Sequence, residues 1–270
     1  MPLLSNLHTH TNFVDGRDTA EEMVQAALAL GFHTLGFSEH GYADFDDCSM
    51  PEDIEPRYRA EIRRLKAKYA GRIHILLGYE HDWPMANDLS EYEYVIESVH
   101  YLRAGGEWFA VDNTRAILED AVARHFAGDP YALCREYFRV VNESIQRTDA
   151  LILGHIELIM KFNEKRDFFD DADPRYLKYA LETAELAARS GHLIEINTGA
   201  ISRGYRTQPY PSPAMLRLIR EKGGRIILTS DCHNRRFLDC HFAEAAELAR
   251  SCGFKTAWQM RGDRLEEYLL

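Results

Sequence analysis

Asn6-Leu7-His8-Thr9-His10-Thr11 lies near the start of the chain, where a short apolar run predicts a buried strand. Side chains alternate along a strand, so residues two apart share one face. His8 and His10 are therefore predicted to point the same way. Imidazole is a common ligand of zinc, iron and manganese. A single His-x-His is a weak motif, but at a strand end it indicates a candidate metal site.

Similar polar residues follow other strand-like runs along the whole chain. Asp231 and His233 again lie two residues apart and are predicted to share a face. The nine candidate ligands in chain order are His8, His10, Asp15, His40, Glu80, His100, His155, Asp231 and His233. With 12 histidines in the chain, some could stand near strand ends by chance, and a lone Gly154-His155 is more often structural. An ordered series from the first strand to the last favours one shared metal site.

The composition is that of an ordinary soluble globular protein: 270 residues, 46% hydrophobic and 28% charged. No apolar stretch approaches the roughly 20 residues that span a bilayer, and we expect no signal peptide, since neither a basic region nor a separate apolar region is visible before the first strand. The net charge of −11, from 32 basic and 43 acidic residues, argues against sequence-independent nucleic-acid binding. We therefore expect a cytoplasmic protein with no membrane and no nucleic-acid partner; its oligomeric state is not predicted.

The cysteines favour a reducing compartment. They are odd in number and lack Cys-x-x-Cys spacing, which fits reduced cytoplasmic thiols; they are Cys48, Cys134, Cys232, Cys240 and Cys252. Cys232 stands between two candidate ligands, so strand alternation turns it away from them. We expect it to pack in the core.

Strand-like and helix-like segments alternate along the chain, which predicts parallel strands in a single domain over 1–270. Thr19 and Glu22 have the spacing of a capping box, and Gly31 is expected to end the helix that follows them. Predicted strands are 3–8, 34–37, 72–77, 94–99, 151–153, 192–196 and 225–228, with 256–258 as a small extra strand. Predicted helices are 19–30, 56–69, 114–126, 131–148, 173–190, 212–222 and 242–252. Seven strands with ligands at their C-terminal ends would close an α/β barrel.

At these motifs the chain resembles the polymerase and histidinol phosphatase (PHP) superfamily. The motifs His-Thr-His-Thr, Gly-Phe-Ser-Glu-His, Gly-Tyr-Glu, Ser-Val-His-Tyr, Gly-His and Ser-Asp-x-His occur in the family's order. Segments 195–206 and 209–213 resemble the branch of L-histidinol-phosphate phosphatases. The resemblance implies a distorted (β/α)7 TIM-like barrel, with the nine candidates as ligands of two or three divalent ions, Zn, Mn or Fe. Many members have His where this chain has Asp15, and the role of His81 is open.

The resemblance implies hydrolysis of a phosphate monoester, most simply L-histidinol phosphate in histidine biosynthesis. A metal-bound water that loses its proton near neutral pH would attack phosphorus as hydroxide. The catalytic residues acting through that hydroxide would be Asp15, Glu80, Asp231 and His233. Candidate substrate-binding residues are Arg203, Arg206, Asn197, Lys161 and Tyr101. A guanidinium matches phosphate oxygens, but solvated loop arginines, a surface lysine and a structural Asx-turn at Asn197 are open alternatives.

Histidinol phosphate also carries an ammonium and an imidazole, so an acidic or aromatic group is expected near the metals. Asp82, Tyr42 and Tyr101 closely follow ligand strands and could serve, although such residues more often pack or lie on the surface. Two other functions are considered. One is a related phosphoesterase acting on nucleotides, DNA ends or other small esters, and the other is a non-catalytic metal-binding protein on the same fold.

Overall fold

The computed structural model describes residues 5–43, 45 and 49–270. Cys48 and the start of the first predicted strand lie outside the described residues. The strands are β1 (Ser5–Asn6), β2 (Thr34–His40), β3 (His74–Asp82), β4 (Tyr94–Ser98), β5 (Tyr101–Ala104), β6 (Glu107–Ala110), β7 (Ile152–Leu153), β8 (Leu193–Asn197), β9 (Arg225–Thr229), β10 (Thr256–Arg261) and β11 (Arg264–Leu269). The helices are α1 (Ala20–Leu30), α2 (Glu55–Lys68), α3 (Arg115–His125), α4 (Pro130–Arg147), α5 (Pro174–Ser190), α6 (Gly199–Ser202), α7 (Pro213–Glu221) and α8 (Phe242–Ser251).

Seven parallel strands form the barrel, in the order β1, β2, β3, β4, β7, β8 and β9. Beyond β1 and β9, a parallel bridge pairs Thr9 with Cys232, and the His10 N–H donates to the Cys232 carbonyl over 3.0 Å. This bridge joins the first strand to the last and closes the ring. The predicted α/β barrel of the distorted (β/α)7 type is therefore confirmed.

Most predicted elements are present with shifted ends. Thr19 and Glu22 form the predicted capping box, and Gly31 ends α1 in the left-handed conformation. Ser212 stands at the N-cap position of α7, but its side chain makes no capping bond. Its hydroxyl donates instead to the buried carboxylate of Glu157 over 3.0 Å. That contact ties the start of α7 to the segment that follows β7.

Two hairpins were not predicted from the sequence. The antiparallel pair β5–β6 follows β4 at the ligand end of the barrel. The pair β10–β11 extends the small strand expected at 256–258, and β10 adds to the sheet beside β9. Both alternate polar and apolar residues only weakly, which explains why the pattern did not reveal them.

An apolar plug fills the barrel opposite the ligand end. It consists of Leu7, Leu76, Tyr94, Ile96, Ile152, Leu193 and Ile227. The Tyr94 hydroxyl donates to the Leu7 carbonyl over 2.6 Å, and the ring needs Gly36 and Gly78, where an added Cβ would lie 2.2 Å from it. Cys232 packs among buried apolar residues between sheet and helices, as expected. Among the described helices, none has the length and apolar character needed to cross a bilayer.

Candidate metal centre

The ends of the barrel strands carry the candidate ligands. His8, His100, His155 and Asp231 each come two residues after the strand that precedes them, β1, β4, β7 and β9 respectively. His40 and Glu80 lie within the C-terminal parts of β2 and β3, which pair with each other in register. Because parallel strands end at one rim of the barrel, these side chains converge there.

Six of the nine candidates form what we call the deep half: His8, His10, Glu80, His100, His155 and Asp231, each at most 6% exposed. Glu80 stands at its centre. One carboxylate oxygen lies 3.2 Å from His8 Nε2 and 3.0 Å from His40 Nδ1, and the other lies 3.1 Å from His155 Nε2. Asp231 Oδ1 lies 3.3 Å from His10 Nε2. A single carboxylate therefore reaches three imidazoles.

The remaining three form the mouth half, consisting of Asp15, His40 and His233. Their side chains are 29%, 16% and 19% exposed. Asp15 Oδ2 lies 2.8 Å from His233 Nε2 and 3.8 Å from His40 Nε2. Asp15 belongs to the loop between β1 and α1, and His233 follows β9, so this half is assembled mainly from loops.

Two histidines of the deep half have opposite pKa shifts. Burial would lower the pKa of His8, but Glu80, Glu195 and Asp231 raise it well above its usual value. Burial, together with His233 and His40, lowers the pKa of His10 to about 3. Although burial would raise the pKa of Glu80, the surrounding histidines hold it well below its usual value. His10 is therefore neutral and Glu80 ionised at neutral pH, the states that bind metal ions, whereas His8 would have to lose its proton to bind one.

Several buried atoms of the cluster have no hydrogen-bond partner among the described residues. They are His8 Nε2, both ring nitrogens of His10, Glu80 Oε2 and His155 Nδ1. A buried polar atom without a partner is costly and requires a physical reason. The ligand atoms also fall into sets within 4.8 Å of one another. Imidazole and carboxylate atoms in such sets fit divalent metal ions.

Glu195 joins four strands around the deep half. One oxygen accepts from His8 Nδ1 and from the Thr229 hydroxyl, both over 2.5 Å. The other accepts from the His155 N–H over 2.7 Å and from the Asn197 amide over 2.9 Å. Glu195 thus turns His8 Nε2 towards the cluster and fixes the backbone of His155.

Two more acids support candidate ligands. Asp82 accepts from both the backbone N–H and Nδ1 of His100 over 2.9 Å. It therefore orients a candidate ligand, a role that the sequence did not predict for it. Glu39 accepts from the Thr11 N–H over 2.8 Å, and its other oxygen lies 3.9 Å from His10 Nδ1. Burial raises the pKa of Glu39 to about 8 despite the bonds from Thr11.

Sequence reasoning assigned no role to Glu195 or Glu39, although a signal existed for each. Glu195 interrupts the apolar strand Leu193–Asn197 at a position that shares a face with Asn197. Glu39 adjoins His40 in a strand whose other residues are almost all buried. Charged residues inside otherwise buried strands require partners, and here the partners are the cluster and its neighbours.

Arg203 and Asn197 both contact the deep half. The Arg203 guanidinium donates to Asp231 Oδ2 over 3.0 Å and to His233 Nδ1 over 2.9 Å, so it connects the two halves. The Asn197 amide donates to Asp231 over 3.2 Å, and its carbonyl accepts from the Gly199 N–H in an Asx-turn. Gly199 is required, since a Cβ there would lie 2.8 Å from Asp231. Asn197 therefore forms the Asx-turn considered from the sequence and also holds the candidate ligand Asp231.

The other substrate-binding candidates lie around this cluster. Lys161 is buried and pairs with Asp112 over 3.0 Å, and it lies over the Tyr205 ring. Arg206 is only 11% exposed and donates to the Met160 carbonyl, so it is not a solvated loop residue. Tyr101 is buried beside His100. The Tyr42 backbone N–H donates to the Tyr79 hydroxyl over 3.1 Å.

His81 points away from the cluster, on the opposite face of β3 from Glu80. Its Nδ1 lies 3.0 Å from a Glu97 oxygen, and its Nε2 lies 2.8 Å from the Met85 carbonyl. With an acceptor at each ring nitrogen, His81 ties the loop after β3 to β4. The structure gives it this local role, which the sequence left open.

Comparisons with known proteins agree with this geometry. The PHP domain model matches residues 6–199. A probable histidinol-phosphatase of Deinococcus radiodurans is 30% identical over 268 residues, 94% of this chain and 95% of the relative. Another of Schizosaccharomyces pombe is 26% identical and covers 94% of this chain and 87% of the relative. A crystal structure of the Lactococcus lactis histidinol phosphate phosphatase with zinc, L-histidinol and phosphate superposes with a TM-score of 0.70 at 23% identity, covering 98% of this chain and 100% of that one.

Proposed function

The chain belongs to the PHP domain family, and from that premise we propose that it hydrolyses L-histidinol phosphate to L-histidinol and phosphate with the help of divalent metal ions. The observation that carries the proposal is the cluster of buried imidazole and carboxylate atoms without hydrogen-bond partners. The named function of relatives that match nearly the whole chain supports the choice of substrate. The fold alone would not, because one fold supports many functions.

Three overlapping groups of side chains are proposed to hold the metals. The first is His8, His10 and Glu80, the second is Glu80, His100 and His155, and the third is His10, Asp15, His40 and His233. Asp231 adds to the first group, since its Oδ1 lies 3.3 Å from His10 Nε2. Glu80 is shared by two groups, since its two oxygens face different imidazoles. We propose two or three ions, of zinc, manganese or iron. Such ions supply a water that ionises near neutral pH and positive charge for the phosphoryl oxygens.

Arg203 and Arg206 are proposed to bind the phosphoryl group. The Nε of each is buried and has no hydrogen-bond partner among the described residues. Arg203 is also bonded to Asp231 and His233, so its position is fixed relative to both halves. A fixed guanidinium can donate to phosphate oxygens with little loss of side-chain freedom. Lys161 and Tyr101 are proposed to line the same pocket, and Asn197 to hold Asp231.

We also propose that residues 1–270 form one domain and that the protein works in the cytoplasm, in histidine biosynthesis. The continuous ring from β1 to β9 supports the single domain, because strands from both ends of the chain meet at the Thr9–Cys232 bridge. The acidic net charge of −11 supports a small-molecule substrate over nucleic acid.

Steady-state hydrolysis with defined metals tests the proposal. Protein freed of metal and reloaded with zinc, manganese or iron would be assayed on histidinol phosphate, a nucleoside monophosphate and an aryl phosphate. We expect the highest kcat/KM on histidinol phosphate and loss of activity in Asp231→Asn. A preference for the nucleotide would assign the protein to another branch, and no hydrolysis of any ester by metal-loaded protein would indicate a non-catalytic role.

A further inference from the structure

The proposed substrate carries opposite charges at its two ends, and the inference that follows rests on the proposed function. Its phosphate suits the metals and the arginines, whereas its ammonium and imidazole carry or accept positive charge. A cationic group brought beside Arg203, Arg206 and Lys161 is unfavourable unless an acid neutralises it. The pocket therefore requires a carboxylate that has capacity left for a further hydrogen bond.

Most acids around the cluster are not accessible to a substrate. Asp82 bonds His100 through one oxygen, and its side chain is only 3% exposed. Glu39 bonds Thr11 through one oxygen, and its side chain is fully buried beside His10. Glu195 already accepts four hydrogen bonds. Glu157 accepts from the Tyr176 hydroxyl and from both the N–H and the hydroxyl of Ser212. Each of these carboxylates is buried and supports either a candidate ligand or the fold.

Asp112 is the exception. One of its oxygens accepts from Lys161 Nζ over 3.0 Å, while Oδ1 takes part in no hydrogen bond within the described part of the chain. The side chain is 26% exposed, so a further donor can approach the carboxylate. A carboxylate can accept several donors at once, and the pair with Lys161 uses only part of that capacity.

The β5–β6 hairpin places Asp112 close to the cluster. The Val111 N–H donates to the His100 carbonyl over 2.8 Å, and Tyr101 pairs with Ala110 across the hairpin. Asp112 therefore follows directly on the residue bonded to a candidate ligand. Burial would raise the pKa of Asp112, but Lys161, His100 and His40 lower it to about 2. The carboxylate is ionised at neutral pH and lies within the electrostatic reach of the cluster.

Aromatic rings flank the same hairpin. Phe45 packs edge-on against Tyr101 at 4.9 Å between centroids and stacks on Trp108 at 5.0 Å. Aromatic faces attract ammonium groups and stack with imidazole. The hairpin thus brings a partly open carboxylate and aromatic rings to one side of the metal centre, while Arg203 lies on the side of Asp231 and His233.

We propose that Asp112 is the specificity-determining residue that selects phosphate esters with a positively charged leaving group. Its open oxygen accepts a hydrogen bond from the ammonium or the protonated imidazole of the substrate. The other oxygen of Asp112 stays bonded to Lys161 Nζ. The carboxylate therefore partly offsets the repulsion between the Lys161 ammonium and the substrate's cationic group. Esters without a positive charge gain nothing from this contact, so Asp112 discriminates between them and histidinol phosphate.

Asp112→Asn tests this assignment, because it keeps the shape and removes the charge. The readout is the ratio of kcat/KM on histidinol phosphate to kcat/KM on an aryl phosphate, together with the inhibition constants of L-histidinol and inorganic phosphate. We expect the ratio to fall about tenfold to a hundredfold, as for loss of a charge-assisted hydrogen bond. The inhibition constant of L-histidinol should rise by a similar factor and that of phosphate much less.

Glu107→Gln is the matched control. Glu107 lies on the same hairpin and forms an ion pair with Arg124, but it is exposed. We expect Glu107→Gln to leave the kcat/KM ratio and both inhibition constants unchanged. Asp112→Glu should restore part of the preference, since it restores the charge.

Two outcomes would overturn the assignment. Equal losses on both substrates, with phosphate inhibition weakened as much as histidinol inhibition, would mean that Asp112 acts only by holding Lys161. An unchanged ratio in a variant that folds, as judged by its melting temperature, would mean that another group recognises the cation. Failure of the proposed function would look different, since the unaltered protein would then show no preference for histidinol phosphate at all.

Discussion

The deep half and the mouth half of the metal centre use the same residue types but are held differently. In the deep half, His8 and His100 each donate Nδ1 to a buried carboxylate, Glu195 or Asp82, that belongs to a barrel strand. In the mouth half, Asp15, His40 and His233 are 16–29% exposed and contact one another and Glu80, and His233 also accepts from Arg203. The deep half is held by carboxylates on barrel strands, whereas two of the three mouth residues lie on loops and only His40 lies at the end of a strand.

The difference predicts how metals bind. Ligands oriented by further hydrogen bonds lose less freedom when they bind an ion, and their supporting groups commonly contribute tenfold to a hundredfold in affinity. Loop residues open to water lack that support. We therefore expect the deep half to hold its metal tightly and the mouth half to exchange its metal more readily.

The largest expected effect comes from Asp231→Asn in the deep half. Asp231 has a φ of +44°, a conformation that asparagine also adopts well, so the variant should fold. The lost charge removes a proposed ligand and the partner of Arg203. We expect kcat/KM to fall by more than the roughly hundredfold upper range for supporting residues. Turnover near that of the unaltered enzyme, at full metal content, would exclude Asp231 as a ligand.

Glu195→Gln should have the next largest effect. The glutamine amide has one acceptor oxygen where the carboxylate has two. His8 therefore loses its charged partner, and the His155 N–H or the Asn197 amide loses its acceptor. We expect metal affinity, measured by titration with a chelator, to fall about tenfold to a hundredfold. Glu157→Gln is the control, because Glu157 is equally buried but bonded to Tyr176 and Ser212.

For Glu195→Gln and Glu157→Gln, the melting temperature reports a loss of stability, and the metal affinity reports a loss of ligand positioning. If both lower the melting temperature but only Glu195→Gln weakens metal binding, Glu195 positions the ligands. Equal metal affinities in the two would show that Glu195 serves the fold alone.

Stepwise metal removal compares the two halves directly. Limited chelation should first release the metal of the mouth half, because its ligands are the more exposed. Asp15→Asn should reproduce that state, with one ion fewer by elemental analysis and the rest retained. Release of all ions together, in the unaltered protein and in Asp15→Asn alike, would contradict a difference between the halves.

The sequence predicted the candidate ligands that the structure brings together in both halves, but not the groups that hold them. His8, His10, Asp231 and His233 were predictable because alternation along a strand places residues two apart on one face. Glu195 and Asp112 were not, since their partners lie 187 and 49 residues away and are set by barrel closure and by the β5–β6 hairpin. Asp82 was considered only for substrate contact, because the fold alone shows that it bonds His100.

The smallest expected effect concerns the loop that carries Asp15. This loop ends at the capping box of α1, where the Thr19 hydroxyl accepts from the Glu22 N–H and Glu22 accepts from the Thr19 N–H over 3.0 Å. It is also held by backbone bonds independent of the cap, from the Gly16 N–H to the Thr11 carbonyl and from the Arg17 N–H to the His233 carbonyl. Asp15 should therefore stay in place when the cap is removed.

Thr19→Ala tests whether those backbone bonds suffice. Loss of an N-cap costs about 0.5–2 kcal/mol of stability, which corresponds to a melting temperature lower by a few degrees for a domain of this size. Metal content and kcat/KM should not change, because the loop keeps its bonds to Thr11 and His233. Loss of the same ion in Thr19→Ala as in Asp15→Asn would contradict this expectation. It would show that the cap of α1 helps to hold Asp15 in the mouth half.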